Sequence, residues 1–217
     1  MITKKKLMGI SLAAVFAIAM IASPIGADAA GSFLNVKEAK VVTDSSELEK
    51  AKFSTKEPIP TDGSGGAFGF GVITGAGLEA ISVTTTHAGV LDSEAQLGDA
   101  NNPVFHNHYV ALQDSQTIGT TYCPGLEVRD ITWQEPGDVD VNKKKANMED
   151  VPYYFAGTHS LSGAPIQFLA DENVGMAVSF TIDPVDATGT TNAVDIQAVC
   201  INDVAPATKL QVKEKND

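Results

Sequence analysis

Residues 101–112 read NNPVFHNHYVAL and carry two of the four histidines of the chain. The Asn-Asn-Pro start followed by Val, Phe and Tyr is typical of a turn that leads into a β-strand. Alternate side chains of a strand share a face. We therefore expect His106, His108 and Val110 on one face. The opposite face would carry the residues between and beside them, Phe105, Asn107, Tyr109 and Ala111.

The same sequence pattern is found on both sides of this stretch, from residue 67 onward. Short runs rich in Val, Ile, Thr and aromatic residues alternate with Gly, Pro, Asn and Asp. Such runs predict β-strands separated by turns. Eight strands are predicted, at residues 68–73, 80–87, 104–112, 126–133, 166–170, 175–182, 193–201 and 209–212. This pattern predicts an all-β protein, built as an antiparallel β-sandwich or a small barrel.

The N-terminal residues have the order of a secretory signal peptide. Three lysines precede an apolar run, and Ala27-Asp28-Ala29 follows as a small-x-small cleavage site. We predict a signal peptide over residues 1–29, a charged and partly flexible lead-in over 30–62 and a single β-rich domain over 63–217. The lead-in includes a helical turn expected near residues 46–52. The apolar run is short for a membrane span, which takes about 20 residues.

The expected location is therefore secreted or extracytoplasmic, with no stable membrane insertion after removal of the signal. A second interpretation of the N-terminal segment stays open. A prepilin-type signal would be cut before the apolar run, which would remain as a helix in a filament core. Gly9 after the basic cluster permits that cleavage, whereas the Ala-Asp-Ala site favours the first interpretation.

The chain is acidic, with a net charge of −12 at pH 7. Loss of residues 1–29 would remove three lysines and Asp28 and change this charge to −14. Phosphate groups are bound through Lys and Arg, so the acidic excess argues against nucleic acid and anionic membranes as partners. The same field favours cations. A metal ion is the expected partner, and self-association or a cell-surface partner is left open.

The predicted mature chain contains two cysteines, Cys123 and Cys200, and its expected compartment is oxidising. An even pair in that setting predicts a disulfide, ahead of metal thiolates or free thiols.

The strand before residue 101 ends in a third histidine. His87 shares a face with Val83 and Thr85, and the loop from 88 to 103 returns the chain to His106. If the two strands pair, His87 comes across from the pair His106 and His108. Three imidazoles with an open position are typical of a zinc or copper site.

Further ligands for this site come from two loops. His159 lies in a turn-rich segment and is a possible additional metal ligand. Asp92, Glu94 and Asp99 stand in the loop after His87, where one of them could donate an oxygen ligand or orient an imidazole.

Other motifs fail on their spacing. No histidine follows either cysteine closely enough for a blue-copper site. Residues 138–149 begin like a calcium loop, but Lys143 stands where glycine is required, which predicts a solvated loop. His159 beside Ser160 does not form the G-x-S-x-G motif of a hydrolase.

The sequence thus predicts an exported β protein that binds copper or zinc through His87, His106 and His108, with His159 as a further candidate. The alternative is a cell-surface or filament-associated structural or adhesive protein without a metal. No catalytic residue is assigned, and enzymatic activity is the less favoured interpretation.

Overall fold

The computed structural model describes residues 31–115, 122–186 and 196–215. Within these ranges the chain forms thirteen β-strands and three short 3-10 turns. The strands are β1 (Val36–Thr43), β2 (Glu47–Thr55), β3 (Phe68–Ile73), β4 (Ile81–Thr86), β5 (His106–Asp114), β6 (Leu126–Ile131), β7 (Asp138–Asn142), β8 (Lys145–Pro152), β9 (Tyr154–Thr158), β10 (Pro165–Leu169), β11 (Met176–Asp186), β12 (Ile196–Pro206) and β13 (Leu210–Glu214).

Six strands close into a barrel in the order β11-β12-β6-β5-β4-β3, and β3 pairs back onto β11. Every neighbouring pair in the barrel is antiparallel. The pairing of β12 with β6 is the shortest, with only two paired positions. The predicted all-β class and the small-barrel alternative are therefore confirmed.

A five-stranded sheet in the order β13-β1-β2-β8-β7 accompanies the barrel, and β9 and β10 form a separate hairpin. The sheet is antiparallel except for the parallel pair of β1 and β13. Strands β1 and β2 belong to the range expected to be a lead-in, and they pair with β13 and β8 from far along the chain. The division of the chain at residue 62 stays a prediction.

The helical turn expected near residues 46–52 is wrong, because this segment belongs to β2. Asp44 explains the difference. Its Oδ1 accepts hydrogen bonds from the backbone N–H groups of Ser46 and Glu47, at 2.7 and 2.9 Å. The polar cluster that resembled a helix cap is thus the turn between β1 and β2.

The solvated loop expected at residues 138–149 is also wrong, since these residues form the hairpin of β7 and β8. Val139 and Val141 pack against the core, while Ala146 and Met148 are fully buried. The lysines occupy the turn and its flank, where Lys143 adopts a positive φ of 53°. In this hairpin apolar residues alternate with charged ones, because one face of the sheet is buried and the other is exposed to solvent.

The two larger apolar cores of the described residues both include side chains of β5. Tyr109 and Ala111 belong to the core between the barrel wall and the five-stranded sheet. Val110 and Leu112 belong to a second core, whose residues come from the barrel strands and face its interior. The expected division of β5 into two faces is confirmed. His106 and His108 lie on the interior face with Val110.

The N-terminal signal-peptide prediction lies outside the described residues. Across the ranges that the structure describes, no helix combines the length and apolar character required to cross a bilayer.

Candidate metal site

The pairing of β4 with β5 determines where the histidines stand. Thr85 pairs with His106 and Val83 pairs with His108. His87 follows Thr85 by two residues and so lies on the same interior face, just beyond the end of β4. The Nε2 atoms of His87 and His106 come within 3.1 Å of each other. The rings of His106 and His108 pack edge to face, with centroids 4.9 Å apart.

Backbone carbonyls fix the orientation of two of the rings. Nδ1 of His106 lies 2.8 Å from the carbonyl oxygen of Val104, and Nδ1 of His108 lies 2.7 Å from that of Thr132. A carbonyl oxygen only accepts, so in both rings Nδ1 carries the proton that is donated. The Nε2 lone pair of a neutral ring is then directed into the cluster, which is the arrangement found in metal-bound histidines.

Asp92 is the acidic residue that the structure brings to these rings. One carboxylate oxygen, Oδ2, lies 3.1 Å from Nε2 of His87 and 3.7 Å from Nε2 of His108. The other, Oδ1, lies 3.3 Å from Nε2 of His106. Ligand atoms of His87, Asp92 and His106 all lie within 4.8 Å of one another, and all three residues are buried. His108 is the outlying member of the cluster.

These distances are compatible with a single ion among His87, Asp92 and His106. With metal–ligand bonds of about 2.0–2.1 Å in a tetrahedral site, neighbouring ligand atoms are roughly 3.3 Å apart. The measured contacts to Asp92 span 3.1 to 3.7 Å. His87, Asp92 and His106 could therefore hold a metal ion, with His108 beside them.

The protonation of Asp92 follows from two opposing effects. Burial on its own raises the pKa of the carboxyl group. Electrostatic attraction to His108 and the polar contacts of Asp92 with the rings of His106, His108 and His87 act in the other direction and prevail. The pKa of Asp92 therefore lies well below its ordinary value, and the residue is an anion at neutral pH.

The loop between β4 and β5 holds Asp92 through its backbone. The side-chain oxygen of Gln96 accepts from the N–H groups of Asp92 and Ser93, at 2.9 and 3.2 Å. The amide nitrogen of Gln96 donates to the carbonyl oxygen of Val90 at 2.8 Å. Ser160 fixes the other side, because its hydroxyl donates to the carbonyl oxygen of Asp92 at 2.7 Å. Gln96 and Ser93 also form a capping box around the short 3-10 turn Glu94–Gln96.

The remaining candidates from the sequence lie around this cluster. Glu94 and Asp99 belong to the same loop but are exposed. His159 lines the cavity that His87, Asp92 and His108 also line. Its Nδ1 accepts hydrogen bonds from the N–H groups of Leu161 and Ser162, at 3.1 and 3.3 Å. A neutral ring with an accepting Nδ1 carries its proton on Nε2, so His159 differs from His106 and His108 in the nitrogen that is protonated.

Glu135 is a neighbour of the cluster that sequence reasoning missed. Its carboxylate accepts from the hydroxyl of Ser93 at 3.2 Å. Burial raises the pKa of Glu135, while His106, Ser93 and His108 lower it to a smaller extent. The segment 133–137 bears no motif that would single out this glutamate.

Cys123 and Cys200 are joined by a disulfide that closes a separation of 77 residues. Cys200 pairs with Glu127 in the register of β12 and β6. The bond therefore stands at the barrel seam that has the fewest paired residues.

Comparisons of the chain with protein-family models, with curated proteins and with solved structures find no match.

Proposed function

We propose that this protein binds a transition-metal ion, copper or zinc, through His87, His106 and Asp92, with His108 as the fourth ligand. The observation that carries the proposal is the convergence of Nε2 atoms and a carboxylate on one point, at contacts of 3.1 to 3.7 Å. Imidazole nitrogen with one carboxylate oxygen is a ligand set that both metals accept.

The fixed tautomers support this proposal over an ordinary hydrogen-bonded cluster. His108 leaves its Nε2 buried and without a hydrogen-bond partner among the described residues. Asp92 Oδ1 is likewise buried without a partner that donates to it in good geometry. A buried polar atom left unpaired costs on the order of 1–3 kcal/mol, and an ion in the cluster would remove that cost.

One feature of His87 works against very tight binding. Coordination through Nε2 places its proton on Nδ1, and that atom is buried without a partner in the described part of the chain. The rings of His106 and His108, by contrast, are oriented by hydrogen bonds to backbone carbonyls.

The setting of this activity is proposed to be extracytoplasmic, since the disulfide is a bond that oxidising compartments maintain. The role there would be metal handling or a metal-dependent surface function. The alternative is a cell-surface or filament-associated structural or adhesive protein, in which the four side chains form a polar network without an ion.

Elemental analysis of the natively purified protein tests the proposal. We expect close to one equivalent of copper or zinc per chain, which returns after removal by a chelator and reloading. A chain that carries neither metal, and takes up neither in titration, would support the structural alternative.

A further inference from the structure

A cavity of about 310 Å³ lies inside the barrel beside the metal cluster. Its walls are aliphatic and aromatic, with Ile73, Ile81, Val83, Val110, Leu112 and Phe180 among them. Protein interiors are close-packed and contain few voids larger than a water molecule. A space of this size falls at the lower end of the range for small-molecule sites, about 300–1,000 Å³.

Polar side chains of the metal cluster line one part of this otherwise apolar cavity. His87, Asp92 and His108 border it, and His108 is 1% exposed. Nε2 of His108 is the atom that has no hydrogen-bond partner among the described residues. A mainly apolar cavity with a few convergent polar atoms is the usual form of a site for a small organic ligand.

The net charge of the metal-loaded cluster determines which head group such a ligand would carry. A divalent ion held by three neutral imidazoles and the Asp92 carboxylate leaves a net charge of +1. One carboxylate would neutralise this charge in an apolar surrounding, where an uncompensated charge is costly.

Among the described residues, the other ionisable groups that line the cavity are His159, Glu127 and Arg129. His159 would offer one N–H donor rather than the charge of a metal ion. Gln113 borders the cavity from the C-terminal part of β5, and Glu127 borders it from the neighbouring strand β6. The carboxylate of Glu127 would repel a bound carboxylate. Arg129 also lines the cavity, but its guanidinium group already pairs with Glu79 and Asp130, each at 2.7 Å.

The seam between β6 and β12 borders the apolar cavity. Among the described residues these strands pair at Cys200–Glu127 and Ile201–Leu126. Beyond the paired positions, Val128 and Ala198 line the cavity from the two sides. A single aliphatic chain matches the apolar walls and limited volume of this cavity.

We propose that the barrel binds a monocarboxylate with a single aliphatic chain. The carboxylate binds the metal ion on its cavity side as a fifth ligand, beside His108, and the chain lies among the apolar side chains of the barrel interior. This inference rests on the proposed metal site and names the class of ligand that completes it.

Calorimetric titration of the full, zinc-loaded protein with butanoate, hexanoate and octanoate is the test. We expect one molecule of octanoate per chain. Binding should tighten by about fourfold for each added methylene until the cavity is filled, because each buried methylene contributes a similar free energy. Octan-1-ol should bind at least tenfold more weakly, and octylamine should not compete, since the site is positive.

Ile81→Trp fills the cavity and should abolish octanoate binding, and Val178→Phe provides a second filling variant from another barrel strand, β11. Leu169→Trp is the matched control, because Leu169 is 71% exposed and lies outside the cavity. The zinc content of each sample is measured first, to separate the two proposals.

Zinc-loaded wild type that does not bind octanoate, or cavity-filling variants that bind it as wild type does, would overturn the carboxylate site alone. Protein that takes up neither zinc nor copper would overturn the metal proposal, and the carboxylate site with it.

Discussion

At the scale of single residues, the behaviour of Asp92 decides what the histidine cluster can do. Burial disfavours its charge, and contacts with three imidazoles restore it. The result is a carboxylate that is anionic, buried and within 3.1 to 3.7 Å of three Nε2 atoms. An anion in that position lowers the cost of bringing a cation into the barrel.

Replacing this anion by an amide tests that role. Asp92→Asn keeps the shape of the side chain and removes its charge, so we expect metal affinity to fall at least tenfold with little change in fold. Glu94→Gln is the matched control, because Glu94 lies in the same loop and is exposed. Competition with a chromophoric chelator measures both variants. Equal losses in the two would mean that loop charge in general, and not Asp92, attracts the ion.

The lowered pKa of Asp92 also predicts how the metal-free protein responds to acid. A group with a depressed folded-state pKa stabilises the fold above its unfolded pKa, about 3.9 for Asp, and loses that contribution as the pH falls through the folded value. The free energy of unfolding of wild type should therefore exceed that of Asp92→Asn at pH 6 and approach it below about pH 4. Urea denaturation at several pH values measures the difference, and a difference that does not depend on pH would contradict the assigned charge.

The sequence could predict the histidines of the site better than its carboxylate. The spacing of His106 and His108 sets both rings on one face through local geometry alone. The choice of Asp92 over Glu94 and Asp99 depends on Ser160, which is 68 residues away and holds the Asp92 carbonyl. The tautomer of His108 likewise depends on Thr132. Such contacts depend on the folded barrel, and local patterns do not contain them.

At the scale of elements, the loop between β4 and β5 positions the site more than either strand does. Gln96 is fully buried and joins Val90, Asp92 and Ser93 through its amide group. It touches none of the ligand atoms directly, so its effect on the ion would be transmitted through the backbone.

Gln96→Met tests this positioning role. Methionine has a similar length but forms none of these hydrogen bonds, so the buried N–H of Asp92 loses its partner. We expect unfolding free energy to fall by about 1–3 kcal/mol and metal affinity to fall with it. Denaturation of the metal-free protein and chelator competition measure the two effects. Asp99→Asn, on the exposed side of the loop, should change neither; a Gln96→Met variant with wild-type affinity would contradict the loop's role.

Strands with a charged face were the elements that sequence reasoning missed. Strand β2 carries Lys50 and Lys52 among its residues, and Lys and Glu are depleted in strands generally. Its buried face holds only Leu48, Ala51, Phe53 and Thr55. Those side chains are stabilised by β1 and β8, and β8 lies about a hundred residues further along the chain, where Lys50 pairs with Glu149. The barrel strands β3, β4 and β5 were predicted more easily, because they are buried on both faces and contain no Lys, Arg or Glu.

At the scale of the whole molecule, the disulfide supports the barrel where its hydrogen bonding is least complete. It links residues 77 positions apart and stands beside the two-residue pairing of β6 and β12. In the chain-entropy model a loop of that length gives about 4 kcal/mol of stabilisation.

Replacing both cysteines should therefore destabilise the protein without removing the metal ligands. We expect Cys123→Ala/Cys200→Ala to lower unfolding free energy by about 2–4 kcal/mol. The metal-binding stoichiometry should stay as in wild type. Thermal or urea denaturation measures the loss, and the mass of the unreduced wild type should be two hydrogens below that of the reduced form. Two alkylatable thiols in the unreduced protein would refute the bond.

The central claim is that His106 and His108 belong to a metal site, and titration calorimetry with Zn(II) and Cu(II) tests it most directly. Wild type should bind one ion with measurable heat, and binding should weaken as the pH is lowered, because imidazole coordinates only when neutral. The His106→Ala/His108→Ala double variant should lose tight binding with its fold intact by circular dichroism. His159→Ala should have the smaller effect. Equal, weak binding by wild type and the folded double variant would contradict the claim.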